Sequence, residues 1–260
     1  MYKTTYDHWS KTKTRRIVGL LILTILFSAA AAPLSAMDAE EIIQKMEENQ
    51  VHQSAYSEGR MIIRDRFGEK ESSFKSWARG EDESLIEFTS RQERGQKILR
   101  TEDEIYLYFP DAAEVIRLQG AALRDSVLGS DLSYEDMTGD KGLLDSYEVE
   151  LLEDEVVDGQ PCYQIDMRAV SRDVPYPRQV IWVDKELFAT RKVHKYSLSG
   201  KLLKEMRIQD YITQNGKTFP ARFVVEDKMK SNSSTSFIID QIDLGVEIPE
   251  ATFSLQELTW

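Results

Sequence analysis

Cysteine is almost missing from this 260-residue chain: Cys162 stands alone. No disulfide can form within the chain, and no cysteine stands at the end of the N-terminal segment to take a lipid anchor. Lying between Pro161 and Tyr163 in a strand-like run, Cys162 reads as a buried small apolar residue rather than a nucleophile. Histidine is nearly as scarce. His8, His52 and His194 stand far apart, with no Cys/His/Asp cluster at ligand spacing, so no metal is expected. The chain has no Gly-x-Ser-x-Gly elbow, His-Glu-x-x-His helix, phosphate loop or dinucleotide fingerprint. No cofactor is implied and catalysis is not expected. A glycosidase-like pair of carboxylates stays open, because such pairs meet only in space. Among 45 acids, neighbours such as Glu135-Asp136 and Glu153-Asp154-Glu155 read first as solvated edges and turns.

Basic charge is also in short supply, 33 Lys and Arg against those 45 acids, for a formal charge of −12. Phosphate backbones and anionic lipid surfaces repel such a chain, so no nucleic-acid partner is expected. The acidity reads mainly as a source of solubility. Arg94, Arg172, Lys192 and Lys195 are basic spots in this acidic background. They suit an acidic head group or partner, or, more simply, edge-strand charges that discourage aggregation.

Long apolar runs are absent except at residues 17–32, preceded by Lys11, Lys13, Arg15 and Arg16 and followed by Pro33-Leu34-Ser35-Ala36. A basic start, a short apolar core and a small residue before the cut form a secretory signal. A retained anchor is the alternative, but the run is shorter than the roughly 20 residues a spanning helix needs. The expected division is a signal peptide at 1–36 and one domain at 37–260, folded in the periplasm. Removing the signal takes away five basic residues and one acid, leaving a domain four charges more negative.

Helical periodicity is confined to one place. Asp38 and Glu41 form a capping pair, and Ala39, Ile42, Ile43 and Met46 recur at helical spacing, predicting a helix over 38–49. Thereafter strand-like runs follow at 56–66, 69–78, 84–89, 96–101, 104–109, 114–118, 145–157, 160–170, 178–183, 188–197, 201–212, 217–227 and 235–244. Asp158-Gly159, Ser199-Gly200 and Asn215-Gly216 between them are hairpin signals, so the pattern is an antiparallel meander. Residues 120–142 interrupt it, rich in Gly, Asp and Ser with short helical pieces, and suggest a lid or plug.

Several strands are apolar on both faces, notably Ile105-Tyr106-Leu107-Tyr108-Phe109, Val180-Ile181-Trp182-Val183 and Phe237-Ile238-Ile239. A sheet with water on one face would alternate strictly. Both faces must therefore be covered, and residues 38–49 and 120–142 are the only helical material offered for the purpose. Either the apolar side chains fill a small barrel, or they leave room for an apolar ligand. Periodicity alone does not choose.

The stretch Gly129-Ser130-Asp131-Leu132-Ser133-Tyr134-Glu135-Asp136-Met137 resembles the signature of bacterial outer-membrane lipoprotein-sorting proteins, a branch of the LolA-like family. Further similarities run along the chain: Gly95-Gln96-Lys97-Ile98-Leu99-Arg100 with Ile105 to Pro110, Trp182-Val183-Asp184 with Gly200-Lys201-Leu202-Leu203-Lys204, and Ile248-Pro249-Glu250-Ala251-Thr252-Phe253-Ser254. One departure stands out. Where the lipoprotein carrier of the family has an Arg-Pro pair before a Phe-Arg-Trp-like strand, this chain reads Phe74-Lys75-Ser76-Trp77-Ala78-Arg79.

The resemblance implies a mainly β fold with a few helices, a half-open antiparallel β-barrel of about 11 strands wrapped around lid helices. It also implies an apolar cavity for acyl chains and a monomeric periplasmic carrier of lipids or lipoproteins. An inner-membrane transporter and an outer-membrane acceptor are the implied partners. An envelope sensor, an accessory protein of an RND/MMPL-type lipid exporter and an envelope hydrolase are the rival readings. Met61, Ile63, Trp77, Phe88, Tyr106, Tyr108, Val180 and Trp182 are the candidate lipid-binding residues. The signature residues Gly129, Ser130, Asp131, Ser133, Tyr134, Glu135 and Asp136 belong to the expected lid, with Ser133 and Asp136 forming a helix cap.

Overall fold

Strand pairing decides where everything else can sit. The computed structural model describes residues 37–259 apart from 51–52, 81, 102–103, 138–141 and 173. The expected signal, its cut, His8 and His52 lie outside the described residues. Helix α1, Ala39–Gln50, comes first. Its start is set by Asp38, whose Oδ1 accepts from the Glu41 N–H at 2.9 Å, and it buries Ala39, Ile42, Ile43 and Met46 as the periodicity predicts.

Strands β1 Ser54–Asp65, β2 Gly68–Arg79, β3 Glu83–Phe88, β4 Lys97–Thr101, β5 Glu104–Phe109 and β6 Glu114–Leu118 follow. A crossover then runs through 3-10 turns Gly120–Arg124 and Val127–Gly129, helix α2 Tyr134–Met137 and helix α3 Leu143–Ser146. The second half contains β7 Tyr147–Leu151, β8 Glu155–Val157, β9 Gln160–Ala169, β10 Arg178–Asp184, β11 Thr190–Tyr196, β12 Leu202–Gln214, β13 Lys217–Asp227 and β14 Ser234–Leu244. A 3-10 turn, Glu250–Phe253, and helix α4, Leu255–Leu258, end the chain.

These form a single 14-stranded sheet in the order β6-β5-β4-β3-β2-β1-β14-β13-β12-β11-β10-β9-β7, with β8 paired to β9. Every pairing is antiparallel. The first and last strands meet in the middle, so the sheet is not closed and β6 and β7 lie at opposite ends of its order. Fourteen strands replace the implied eleven or so. The residues' own periodicity suggested thirteen runs. The extra strand arises where the run 145–157 leaves the sheet at 152–154, so that β7 and β8 pair with separate halves of β9.

Two hairpins show why the turn residues matter. Asp158-Gly159 and Asn215-Gly216 have positive φ at both positions, 50° and 82°, 53° and 76°, which suits the right-handed twist of the flanking strands. Gly59 matters differently. A Cβ there would lie 2.4 Å from the Ile238 carbonyl oxygen and 2.6 Å from the Phe74 ring, at the register shift where β1 meets β14.

The two-faced apolar strands split by parity. On β5, Ile105 and Leu107 join one core with Met61, Phe74, Phe88 and Phe237, while Tyr106 and Tyr108 join another with Leu85, Leu99 and Phe253. On β10, Ile181 and Val183 pack with α1, while Val180 and Trp182 pack with Val157 and Cys162 on the reverse. Met206 packs against both the Phe88 and the Ile181 clusters, so those two share one face. That face receives α1, α3 and the crossover residues Val127 and Leu132. The opposite face has its own cover, the C-terminal segment, through Ile248, Phe253 and Leu258. Residues 38–49 and 120–142 are therefore not the only cover. The third piece was hidden in a helix too short for periodicity to reveal.

Candidate functional site

On the face that receives α1 and the crossover, a cavity of about 350 Å³ lies between the sheet, α1 and α3. Its floor comes from β9 to β13: Met167, Ile181, Val193, Met206, Ile208, Pro220, Phe223 and Val225. Met46 of α1 and Leu132 and Leu143 from the crossover segment complete the apolar lining. A volume in this range suits a small ligand, since binding pockets run from roughly 300 to 1,000 Å³. Three of the lining residues are methionines, whose flexible thioethers accommodate variable shapes.

One wall is polar. Asp136, Lys195 and Lys204 reach the cavity, and so do Gln179 and Thr190. The Asp136 side chain is 5% exposed and makes ion pairs with Lys195 Nζ, at 2.9 Å, and with Lys204 Nζ. The Tyr176 hydroxyl donates to Asp136 Oδ1 at 3.1 Å, and the Lys195 ammonium sits 4.4 Å from the Tyr176 ring centre. Burial opposes ionisation of Asp136, but the two ammonium groups outweigh it and hold the carboxyl far below the usual carboxylate range. Burial, followed by the charge of Asp136, raises the neighbouring Glu135 carboxyl and the Tyr176 hydroxyl. A carboxylate held this firmly in its ionised form is a structural anchor and a poor proton carrier at neutral pH.

The signature motif ties the crossover to the sheet at two points. Gly129, at φ +84°, lets the chain turn out of the second 3-10 turn. Ser130, Asp131 and Ser133 are buried. Asp131 Oδ1 accepts from Ser233 Oγ at 2.7 Å, and its Oδ2 from Thr235 Oγ1 at 2.9 Å, at the start of β14. Asp136 makes the second tie, to β11 and β12. Ser133 and Asp136 form the expected cap: the Ser133 N–H and Oγ–H donate to Asp136 Oδ2 at 3.0 and 2.7 Å, and Ser133 Oγ accepts from the Asp136 N–H at 3.4 Å. Tyr134 packs on the Phe88 core.

The eight candidate lipid-binding residues fall into three places. Met61, Ile63 and Phe88 lie on the face that holds the cavity, within the neighbouring filled core. Trp77, Tyr106 and Tyr108 lie on the reverse, against the C-terminal segment, and Val180 and Trp182 on the reverse beside Cys162. None of the eight lines the cavity. Alternation divided each strand into two sets but did not say which set faced inward. Ile181, one step from Val180 and Trp182, is the inward residue.

The basic spots also resolve. Lys192 and Lys195 are buried on β11, an interior strand, so they are not edge-strand charges. Lys192 pairs with Glu155 at 3.3 Å and stands 3.7 Å from the Trp182 ring centre, while Lys195 serves Asp136. Arg94 and Arg172 are exposed. Cys162 is fully buried, and burial pushes its thiol pKa up, as suits an inert apolar residue. His194 lies between Glu205 Oε2, at 3.0 Å, and the Tyr196 hydroxyl, with burial lowering its pKa. Asp184, of the Trp182-Val183-Asp184 motif, accepts from the Glu186 and Leu187 N–H groups at 2.8 Å and pairs with Arg191, organising the turn into β11. Among the described residues, no group of His, Cys, Asp and Glu could hold a metal ion.

Residues 80–260 match a protein-family model described as "uncharacterized protein", and the chain belongs to that family. Its fold is that of the LolA superfamily and of outer-membrane lipoprotein-sorting proteins. A DUF1329 family protein from Desulfovibrio piger is similar at 26% identity, over 84% of this chain and 96% of that one, with a TM-score of 0.78. A lipoprotein-sorting protein domain from Vibrio parahaemolyticus matches at 21% identity, over 85% and 97%, with a TM-score of 0.78. A LolA superfamily protein from Nitrosomonas europaea matches at 23% identity, over 85% and 100%, with a TM-score of 0.71. No curated protein matches the chain.

Proposed function

We propose that the protein is a non-catalytic carrier of lipid or lipoprotein acyl chains. It is secreted to the periplasm by the segment 1–36, which is removed, and works as a monomer between an inner-membrane donor and an outer-membrane acceptor. The observation that carries this reading is the largely apolar cavity between the sheet, α1 and the crossover, roofed by a segment held down through Asp131 and Asp136. An acyl chain leaving water gains about 0.8 kcal/mol per buried methylene, so a partly enclosed chain is held without a covalent bond. The segment 120–142 is the lid in this reading, admitting cargo when its ties to β11, β12 and β14 loosen. Similarity to a lipoprotein-sorting domain and a LolA superfamily protein supports the same reading.

The test uses the chain from Met37 and a fluorescent fatty-acid probe, with native mass spectrometry and lipid extraction on protein purified from the periplasm. The wild type should retain lipid and take up the probe. Ile181→Trp and Val193→Trp, which fill the cavity, should abolish uptake while the protein stays folded. Recovery of no lipid together with no probe uptake would refute the carrier reading.

A further inference from the structure

Four neighbouring hairpin loops share a feature unrelated to the cavity. In sheet order the strands from β2 to β9 group as the pairs β2-β1, β14-β13, β12-β11 and β10-β9. Their connecting loops all lie at the same end of the sheet. Asp65 pairs with Gly68, Arg64 with Ser234, Lys204 with Asp227, Tyr196 with Leu202, and Arg178 with both Tyr196 and Arg168. With strands about 4.8 Å apart, successive loops are roughly 10 Å apart along a row.

Each loop presents one large apolar residue to solvent. Phe67 is 82% exposed, Met229 56%, Leu198 93% and Val170 56%. Single exposed apolar residues are ordinary on protein surfaces and need no explanation. One on each of four successive loops, all at one end, is a pattern. The remaining exposed large apolar residues, Val115, Ile116, Leu151, Val156 and Leu255, lie on β6, β7, β8 and α4 and not in this row. Nor is the row acidic, although the chain is. Arg66 lies beside Phe67, Lys228 and Lys230 flank Met229, Lys201 follows Leu198, and Arg172 follows Val170. Arg66, Lys201 and Arg172 have no acidic ion-pair partner among the described residues.

Separate apolar side chains on loop tips, each within three residues of a Lys or Arg, do not make the continuous dry patch of a protein–protein core. They match a bilayer interface, where apolar groups enter the acyl boundary and Lys or Arg stays among anionic head groups. We propose that this end of the sheet docks on membranes bearing anionic lipids, with Phe67, Met229, Leu198 and Val170 inserted and Arg66, Lys201 and Arg172 at head-group level, while Lys228 and Lys230 pair with Glu226 and Asp131 of the chain itself. The local charge overrides the repulsion expected from the whole chain, because screening limits each charge's reach to about 8–10 Å. Docking does not depend on what the cavity holds. It does bring the cavity's polar wall toward the bilayer, since Asp136 grips Lys195 and Lys204 near the same loop.

The test is flotation of the chain from Met37 with phosphatidylcholine vesicles, with and without phosphatidylglycerol. The N-terminal apolar run is left out because it would itself bind bilayers. The wild type should float with the anionic vesicles and bind about tenfold less when Phe67→Ser, Leu198→Ser and Met229→Ser are combined. The thermal midpoint should stay unchanged, because these side chains are exposed. Arg66→Glu with Lys201→Glu, or high salt, should weaken binding in the same direction. A Leu198→Trp variant should show a blue-shifted emission on vesicle addition. Failure to float with anionic vesicles, or flotation indifferent to the serine substitutions, would overturn the proposal. A change of sedimentation behaviour on serine substitution, without any change in flotation, would assign the row to contacts between copies and overturn it equally.

Discussion

One face of the sheet holds two regions built from similar strands, one filled and one hollow. Under β1 to β5 and the adjoining β14, the core is closed by aromatic rings, the last of which, Phe223 of β13, also borders the cavity. Phe74 and Phe237 lie 4.9 Å apart between ring centres, and Phe223 stacks on Phe237 at 5.1 Å, with Phe88 fully buried among them. Val127, Leu132 and partly buried Tyr134 of the crossover pack onto that core. Under β9 to β13, the floor is Met167, Ile181, Val193, Met206 and Ile208, with Phe223 and Val225 at the border of the filled core, and a cavity remains. The crossover there is held over the sheet by charge as well as by apolar packing, through Asp136 between Lys195 and Lys204 and through buried Leu132 and Leu143. Rigid rings leave no space, whereas thioethers and small branched side chains beneath a salt-bridged roof do.

The largest effect should come from removing the charge that holds the roof. Asp136→Asn removes the buried carboxylate that pairs with both Lys195 and Lys204, which should cost about 3–5 kcal/mol in urea unfolding at neutral pH. The same variant tests the pH dependence. The folded-state Asp136 carboxyl is depressed, so its contribution is fully present above the unfolded value, near 3.8, and is lost as pH falls below it. Wild-type stability should therefore fall through that acid range, and the variant's stability should fall less. Equal pH profiles would remove the roof role of Asp136.

In the filled region, Phe88→Ala should cost about 3–5 kcal/mol, because the surrounding rings cannot collapse into the space. A milder loss there would mean that the two regions are not different in packing. In the hollow region, Val193→Phe adds bulk where there is room. Its cost should stay within about 1.5 kcal/mol, below the overpacking penalty of a close-packed site, while probe binding is lost. The smallest effect belongs to the reverse face. Tyr106→Phe removes only a hydroxyl that donates to Glu104 on the surface. It should change stability by about 1 kcal/mol or less and leave probe binding intact. Reduced uptake in that variant would move the ligand site to the other side of the sheet.

Much of the fold was legible because its signals are local. The cap and spacing of 38–49 predicted α1 within one residue at each end. The Asp-Gly and Asn-Gly pairs placed hairpins where both positions have positive φ. The Ser133–Asp136 cap was readable from spacing, since it closes over three residues. The site was less legible. Tyr106 and Trp182 are aromatic and strand-borne, as a ligand contact would be, yet they face the C-terminal segment and Cys162. Met206 and Met167 carry no local signal of a site, because methionine in a strand is compatible with any half-buried position. The pairing of Asp136 with Lys195 and Lys204 spans some sixty residues of sequence, and among so many acids nothing local marked it.

By itself, then, the order of residues determined one capped helix, a long antiparallel meander, its tight turns and the division of each strand into two apolar sets. A two-residue period contains no more than that: it separates two faces without naming them. Which set looks inward was decided only in three dimensions, by the union of β1 with β14 in mid-sheet. That union leaves β6 and β7 at opposite ends of the strand order, so the intervening chain must cross a face to connect them. The face it crosses gains a roof and a cavity, while the other is sealed by the C-terminal turn.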